Sequence, residues 1–306
     1  MSVDELFCAL ILMLSGMKNS RKLHLIIIDN CFTLQNYALF LIFRCIISFF
    51  FNNFAPRKQL SVKNLAIDIG NTCAKLVAFE GDEPIEEWRV DEGEWGKVKE
   101  FCHRHHFSRG IYSTVVRLTA EMKAAIEGIA FPMMQFIPGV TPVPIANDYD
   151  DPTKVGADRL AAAVGAWTKA GGREVLVIDV GTCVTYDFVT ADGHYRGGNI
   201  SPGPTIRLKS LHHFTDALPL LSRKGETPEL GHNTETAIRA GVMRGLVYEI
   251  EGYVREYLLK YPQLFIYLTG GVDIDLHISE KKRIFADRFI VPEGLNRVLN
   301  YQVEIK

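Results

Sequence analysis

The chain has 306 residues, of which 47% are hydrophobic and 23% are charged, and its formal net charge is -2 at pH 7. This composition is typical of a globular protein, and the length allows about two domains. The near-neutral charge gives no electrostatic reason to expect nucleic acid as a partner. The six cysteines follow no CxxC or zinc spacing, which favours a reducing, cytoplasmic setting over a disulfide framework.

The first 62 residues differ in composition from the rest of the chain. They contain eight of the 18 phenylalanines and three of the six cysteines, but one of the 25 glycines. Their longest apolar run, residues 38–51, has Arg44 near its centre and is shorter than the roughly 20 apolar residues of a spanning helix. Three interpretations of this extension stay open: upstream reading frame wrongly joined to the gene, a membrane-associated segment, or a folded extension.

From Ser61 onward, strands and helices alternate, which predicts an α/β fold. The first half is expected to open with a three-stranded meander and to continue as helix, strand, helix and strand. A helix is then expected to begin at the segment GADR and to end at Gly171 and Gly172. The predicted strands of this half are 64–69, 74–80, 87–90, 109–115 and 132–137.

The second half repeats this order, with strands predicted at 174–180, 183–189, 194–200 and 264–268. The glycine-rich segment 197–203 is expected to break the sheet before a helix from about 204. A long helix over 234–258 carries Ala237, Gly241 and Gly245 at intervals of four on a stripe predicted to be buried. Because each glycine costs a helix about 1 kcal/mol relative to alanine, we expect the sheet, a nucleotide or a partner subunit to approach closely there.

Two of the predicted strands end in the same pattern. LAIDIGNTCAK (65–75) and LVIDVGTCVTYD (176–187) each place an aspartate, one spacer residue and a glycine after an apolar run. The second aspartate, Asp179, follows the first, Asp68, by 111 positions (179 minus 68). Self-similarity at this domain-sized spacing predicts two copies of one module.

The first of these segments has the chemistry of a phosphate-binding loop. Gly70 lets the backbone approach a bound group, while Asn71, Thr72 and Lys75 supply donors and charge for phosphate oxygens. An aspartate repels phosphate unless a cation lies between them, so Asp68 predicts a hydrated Mg²⁺ at this loop. The same reasoning applies to Asp179 and Thr182 in the second segment.

The segment VGADR (155–159) places Asp158 and Arg159 at the start of a helix. The helix dipole favours an ionised carboxylate at that position, where the alternative role is simple N-terminal capping. Beside two phosphate loops, an aspartate next to an arginine is suited to phosphoryl transfer, in which a base accepts the proton of the attacking hydroxyl.

Six motifs in one order, DIGNT, YDDPTKVGADR, VIDVGT, GGNISPG, NTETAIRAG and LTGG, resemble those of type III pantothenate kinases, members of the acetate/sugar kinase, heat-shock chaperone and actin superfamily. The resemblance runs from Leu65 to about Val298. It implies an α/β fold of two ribonuclease-H-like domains, an actin-like ATPase fold with a cleft between them, usually in a homodimer. We place the domains at 63–172 and 173–306, after the extension at 1–62.

The resemblance also implies a reaction and a set of site residues. The reaction is ATP-dependent phosphorylation of pantothenate to 4'-phosphopantothenate, the first step of coenzyme A biosynthesis. Asp158 is the implied base, Asp179 the implied ligand of a monovalent cation (K⁺ or NH4⁺), and residues 269–271 the implied adenosine motif. The implied ATP contacts are Asp68, which also faces Mg²⁺, with Ile69, Gly70, Asn71, Thr72, Cys73, Ala74, Lys75 and Thr182. The implied substrate contacts are Tyr149, Gly156, Ala157, Asp158, Arg159 and Thr234.

Two other functions stay open at this point. One is a non-catalytic regulatory protein that retains the nucleotide-binding fold, against which the presence of Asp68, Asp158 and Asp179 argues. The other is a kinase for a different small alcohol, from which the GADR segment and Tyr149 would distinguish a pantothenate kinase. The chain departs from the family in its extension and in Cys183, where many relatives carry alanine.

Overall fold

The computed structural model describes residues 62–271, 274–277 and 281–305, without the side chain of Lys281. These residues belong to one compact unit, Ser61–Lys306. The three interpretations of the extension therefore concern residues that, except for Val62, lie outside the described part. No helix among the described residues has the length and apolar character needed to cross a membrane.

The first sheet has five strands in the order β3-β2-β1-β4-β5. Its first three strands are antiparallel neighbours, whereas β4 runs parallel to β1 and β5 runs parallel to β4. Two helices, α1 (Gly96–Arg104) and α2 (Ala120–Glu127), cover one face, on which Val98, Phe101 and Ile126 are buried. The strands are β1 (Lys63–Ile69), β2 (Ala74–Glu80), β3 (Glu83–Val90), β4 (Arg109–Thr114) and β5 (Met133–Gln135).

The second sheet repeats this topology, with the strand order β11-β10-β7-β8-β9-β6. Here β7 pairs with β8 antiparallel and with β10 parallel, as β1 does with β2 and β4. Two sheets of ribonuclease-H-like order confirm the predicted fold class. The strands are β6 (Ala146–Asn147), β7 (Val175–Val180), β8 (Cys183–Val189), β9 (His194–Pro202), β10 (Phe265–Gly270) and β11 (Ile284–Ala286).

The predicted break of the sheet at residues 197–203 is wrong, because β9 continues to Pro202. Gly198 lies against the backbone of β8, where a Cβ would come within 1.7 Å of the Tyr186 carbonyl oxygen. The strand pairing shifts register between Asp187 and Val189. The glycines therefore accommodate an irregular pairing inside the strand and do not end it.

Two helices, α3 (Ala157–Lys169) and α6 (Ile290–Glu304), contribute to a core that both sheets share. That core joins Ala66 and Ile111 of the first sheet to Val175 and Val177 of the second through side chains of both helices. The helices touch backbone to backbone, since a Cβ on Gly294 would lie 1.8 Å from the Ala161 carbonyl oxygen. Because α3 begins at the GADR segment, this packing fixes the position of Asp158. The domain boundary between residues 172 and 173 stays a prediction.

The other α-helices of the described residues are α4 (Pro204–His213) and α5 (Thr234–Lys260). Leu246, Ile250 and Val254 of α5 pack on the second sheet. The expectation that the stripe of small residues is buried is wrong: Ala237 and Gly241 are exposed, and a Cβ at Gly241 or Gly245 would meet no other atom within 4 Å. Among the described residues, therefore, the sheet does not approach these glycines closely.

The helix crossing can be tested with Gly294→Ala. The added Cβ would meet the Ala161 carbonyl, so the helices must separate, and overpacking of this kind costs about 1 to 3 kcal/mol. We expect the urea midpoint of unfolding to fall. Gly252→Ala on α5 is the matched control, because its Cβ would meet nothing within 4 Å and helix propensity favours alanine by about 1 kcal/mol. Equal midpoints for the two variants would contradict the crossing.

Candidate active site

The two predicted phosphate loops are the tips of equivalent hairpins, and the two tips meet. In the β1-β2 hairpin, the Gly70 amide donates to the Cys73 carbonyl at 3.1 Å, and in the β7-β8 hairpin the Gly181 amide donates to the Cys183 carbonyl at 2.8 Å. The hydroxyl oxygens of Thr72 and Thr182 lie 3.4 Å apart. One ligand can therefore contact both loops.

The hairpins differ in the residue that faces each aspartate. Asp68 lies opposite Lys75 in the β1-β2 pairing, whereas Asp179 lies opposite Thr185 in the β7-β8 pairing. The first aspartate thus has a cation across its own strand pair, and the second has a neutral hydroxyl. Lys75 nevertheless acts on both positions, because its charge lowers the pKa of Asp179 as well as that of Asp68.

The carboxyl of Asp68 lies at the end of β1, where β4 supplies a hydrogen bond. Burial raises the pKa of Asp68 to about 6; Ser113 and Lys75 lower it, and the charge of Asp158 adds to the rise. The Ser113 hydroxyl donates to Oδ1 at 2.9 Å, from the position that pairs with Asp68 in the parallel ladder. The sequence motifs did not predict a role for Ser113, because only the strand register brings this residue beside Asp68.

Asp179 is the more strongly perturbed of the two. Burial raises the pKa of Asp179 to about 7; Lys75 lowers it, and the negative charges of Asp158, Asp68 and Asp187 raise it further. The predicted adenosine motif packs directly on this residue, since a Cβ at Gly270 would lie 2.6 Å from Asp179 Oδ1. Gly270 also has a φ of 105°, which favours glycine.

Asp158 occupies the first turn of α3, as predicted, and is partly accessible. The Arg159 amide donates to Asp158 Oδ1 at 2.8 Å. A Cβ at Gly156 would lie 2.6 Å from that same oxygen, so the glycine leaves room for the carboxylate. Burial raises the pKa of Asp158, and the charge of Asp187 raises it further, while the Arg159 amide and charge lower it. The charge of Asp158 raises the pKa of both Asp68 and Asp179, so the three carboxyls are close enough to interact electrostatically.

Arg159 is buried and forms a salt bridge with Asp187. The sequence motifs predicted no role for Asp187. The ring of Tyr149 stacks on Tyr195, and the Tyr149 hydroxyl adds to the stabilisation of the charged guanidinium. The predicted substrate residues Tyr149, Asp158 and Arg159 therefore lie together. Thr234 is exposed at the start of α5, and within the described residues no hydrogen bond joins it to any of these three.

The N-terminus of α4 lies against the second phosphate loop. The Gly203 amide donates to the Thr182 carbonyl at 3.0 Å, and a Cβ on Gly203 would lie 2.3 Å from the Gly181 carbonyl oxygen. The first turn of a helix presents free amides and a positive dipole end, which favour a nearby anion. Together with Lys75 and the two threonines, this turn makes the meeting point of the loops suited to phosphate groups.

A surface groove of about 490 Å³ lies elsewhere, at the C-terminal end of α3. It is lined by Lys169, Arg173, Phe265, Tyr267 and Phe285, among others. Lys169 is separated from Asp158 by about 16 Å along the helix axis. The groove is therefore separate from the carboxyl cluster described above.

Comparison with known proteins identifies the family. Residues 64–256 match the family model of type III pantothenate kinases. The chain is 48% identical over 239 residues to the type III pantothenate kinase of Phocaeicola vulgatus and 44% identical over 238 residues to that of Bacteroides fragilis. Each alignment covers 78% of this chain and 98% of the relative.

A structural comparison agrees at the level of the fold. A Campylobacter jejuni protein described as a Baf family transcriptional activator superposes with a TM-score of 0.50 at 18% identity, over 78% of this chain and 99% of that one. The match to the family model and the identity to these relatives show that this chain belongs to the type III pantothenate kinase family.

Proposed function

We propose that this protein transfers the γ-phosphoryl group of ATP to the primary hydroxyl of pantothenate, which gives 4'-phosphopantothenate and begins coenzyme A biosynthesis. The observation that carries the proposal is the meeting of the two hairpin tips, Thr72 and Thr182, in the site that also holds Asp158 and Arg159. Membership of the family supports the same substrates.

In this proposal Asp158 accepts the proton of the attacking hydroxyl. Phosphoryl transfer passes through a loose transition state, so the placement of the base matters more than its strength. Burial raises the pKa of Asp158, which makes its carboxylate a better proton acceptor than an exposed one. Arg159 binds the carboxylate of pantothenate, and Tyr149 lines the same pocket. Lys75 and the loop residues 69–74 hold the phosphates with Thr182.

Two cations complete the proposed site, and the carboxyls fit both. Asp68 would face Mg²⁺, directly or through water, and this ion supplies charge neutralisation on the phosphates. Asp179 would hold K⁺ or NH4⁺, since its carboxyl has the more strongly raised pKa and the charges of three other aspartates add to that rise. Within the described residues no three His, Cys, Asp or Glu side chains cluster to hold a metal. Mg²⁺ is commonly held by one or two carboxylates together with substrate phosphates and water.

We further propose that the protein is a cytoplasmic homodimer. Support comes from α5, which presents Ala237, Gly241 and Tyr248 to solvent, and from exposed apolar side chains such as Ile200 and Phe214. Small residues on a helix face allow another helix to approach closely, and exposed apolar area favours association. Sedimentation velocity gives the oligomeric state directly.

The proposed reaction is tested by coupled assay of the purified protein with ATP, Mg²⁺, a potassium salt and pantothenate. We expect turnover of pantothenate by the wild type. Asp158→Asn should lower kcat by about a hundredfold or more, because it removes the proton acceptor, while ATP affinity stays within a few-fold. Absence of wild-type turnover with both cations present would reject the function. Unchanged kcat in the variant would reject Asp158 as the base.

The proposed cation site at Asp179 predicts a pH-dependent stability. A carboxyl whose pKa is higher in the folded than in the unfolded protein binds more protons when folded, so stability falls as pH rises, here between about pH 4 and pH 7. In buffer without Mg²⁺, K⁺ or NH4⁺, Asp179→Asn should therefore be more stable than wild type at pH 8, by up to about 4 kcal/mol, and nearly equal to it at pH 4. Potassium should raise the wild-type urea midpoint at pH 8 and leave that of the variant unchanged.

Asp148→Asn is the control for this measurement. Hydrogen bonds to His194 and Arg196 lower the pKa of Asp148, so this exposed carboxylate stabilises the folded protein at neutral pH, and its loss should change stability in the opposite direction. Identical pH profiles for wild type and Asp179→Asn would contradict the proposed role of Asp179.

A further inference from the structure

Asp187 holds Arg159 on one side through several hydrogen bonds. Arg159 Nε donates to Asp187 Oδ1 at 2.9 Å and to Oδ2 at 3.3 Å, and Nη2 donates to Oδ1 at 2.7 Å. The exposed fractions of the two side chains are 6% for Arg159 and 1% for Asp187. Paired hydrogen bonds between a guanidinium and a carboxylate fix the plane of the guanidinium as well as its position.

Tyr195 restrains the carboxylate in turn. Its hydroxyl donates to the same Oδ1 at 2.7 Å, and the residue is completely buried. Three donors, two from Arg159 and one from Tyr195, therefore converge on one oxygen. Burial opposes the charged form of Arg159, but the hydrogen bonds to Asp187 raise the pKa of Arg159 above its ordinary value. The guanidinium is thus both charged and immobilised before any ligand binds.

The Asp187 pair occupies the Nε and Nη2 edge of the guanidinium, and Nη1 takes no part in it. Arg159 also follows Asp158 directly at the start of α3. We propose that Asp187 is a positioning residue which, with Tyr195, presents the Nη1 side of Arg159 to the carboxylate of pantothenate. This inference rests on the proposed function, because it names the group that orients the substrate-binding arginine.

Loss of Asp187 would have two opposing effects on substrate binding. It removes a negative charge that offsets the charge of Arg159, which by itself strengthens the attraction for an anionic substrate. It also frees a guanidinium beside Asp158, the preceding residue, whose pKa the charge of Arg159 already lowers. A freed Arg159 turns toward this internal anion and not toward the substrate, so the loss of positioning outweighs the gain in charge.

The test is steady-state kinetics of Asp187→Asn, which keeps the shape of the side chain but removes its charge. We expect the KM for pantothenate to rise by about tenfold or more, as for the loss of a charge-assisted hydrogen bond. The KM for ATP should stay unchanged. The Ki of pantothenol, in which a primary alcohol replaces the carboxylate, should also stay unchanged, because this competitor has no anionic group for Arg159 to bind.

Glu249→Gln is the matched control, because Glu249 lies on α5 and contacts β8 through Tyr186, the neighbour of Asp187. Glu249 accepts from the Tyr186 hydroxyl and from Arg207, so it has the same types of partner as Asp187. Tyr186 and Asp187 are neighbours in β8, and successive side chains of a strand point to opposite faces. This control also removes one carboxylate charge, and it should leave the KM for pantothenate unchanged.

Tyr195→Phe supports the test if Asp187→Asn fails to fold. It removes one hydrogen bond and keeps the ion pair, so the KM for pantothenate should rise by a smaller factor in the same direction. An unchanged or lowered pantothenate KM in folded Asp187→Asn, or an equal rise in the KM for ATP, would overturn the inference. If only Tyr195→Phe folds, an unchanged pantothenate KM overturns it. An inactive wild type would instead contradict the proposed function.

Discussion

The grouping of neighbouring carboxyl groups that are withdrawn from water is the constraint on which this site depends. The charge of Asp158 raises the pKa of Asp68 and Asp179, and that of Asp187 raises the pKa of Asp158 and Asp179. The basic side chains Lys75 and Arg159 oppose these shifts. Burial of uncompensated negative charge raises the pKa values of carboxyl groups and stores free energy that a bound cation releases. A site of this kind accepts ATP together with metal ions, because phosphate alone would add to the repulsion.

The fold creates this arrangement by duplication. In each half, the first strand carries an aspartate one residue before its end and turns into an antiparallel partner, so two equivalent hairpins supply one carboxyl each. The helices between the sheets bring the hairpin tips together, and α3 adds Asp158 and Arg159 from its first turn. The copies have diverged in the paired residue, since Lys75 pairs with Asp68 and Thr185 with Asp179, but the charge of Lys75 lowers the pKa of both aspartates.

The sequence was sufficient to predict the longer strands, the duplicated loops and the helix that carries Asp158, because these depend on local pattern and on turn chemistry. The short strands β6 and β11 and the helix α6 were not predicted. Ser113 and Asp187 were missed, since they reach the site only through strand register and through a pair 28 residues apart in the chain. The predictions made from the glycines of β9 and α5, a break in the sheet and a buried stripe, were wrong for a related reason. Glycine signals a break or a close approach, but sequence does not say whether backbone, ligand or nothing in the same chain lies opposite.

The account is tested most directly by a crystal structure with a non-hydrolysable ATP analogue and Mg²⁺. We expect the triphosphate to lie between residues 70–75 and residues 181–183, within hydrogen-bonding distance of the hydroxyls of Thr72 and Thr182. Asp68 and Asp179 should flank that same nucleotide. A nucleotide bound away from one of the two hairpins, so that only one of these aspartates approaches it, would contradict the proposal that the duplicated loops form one active site.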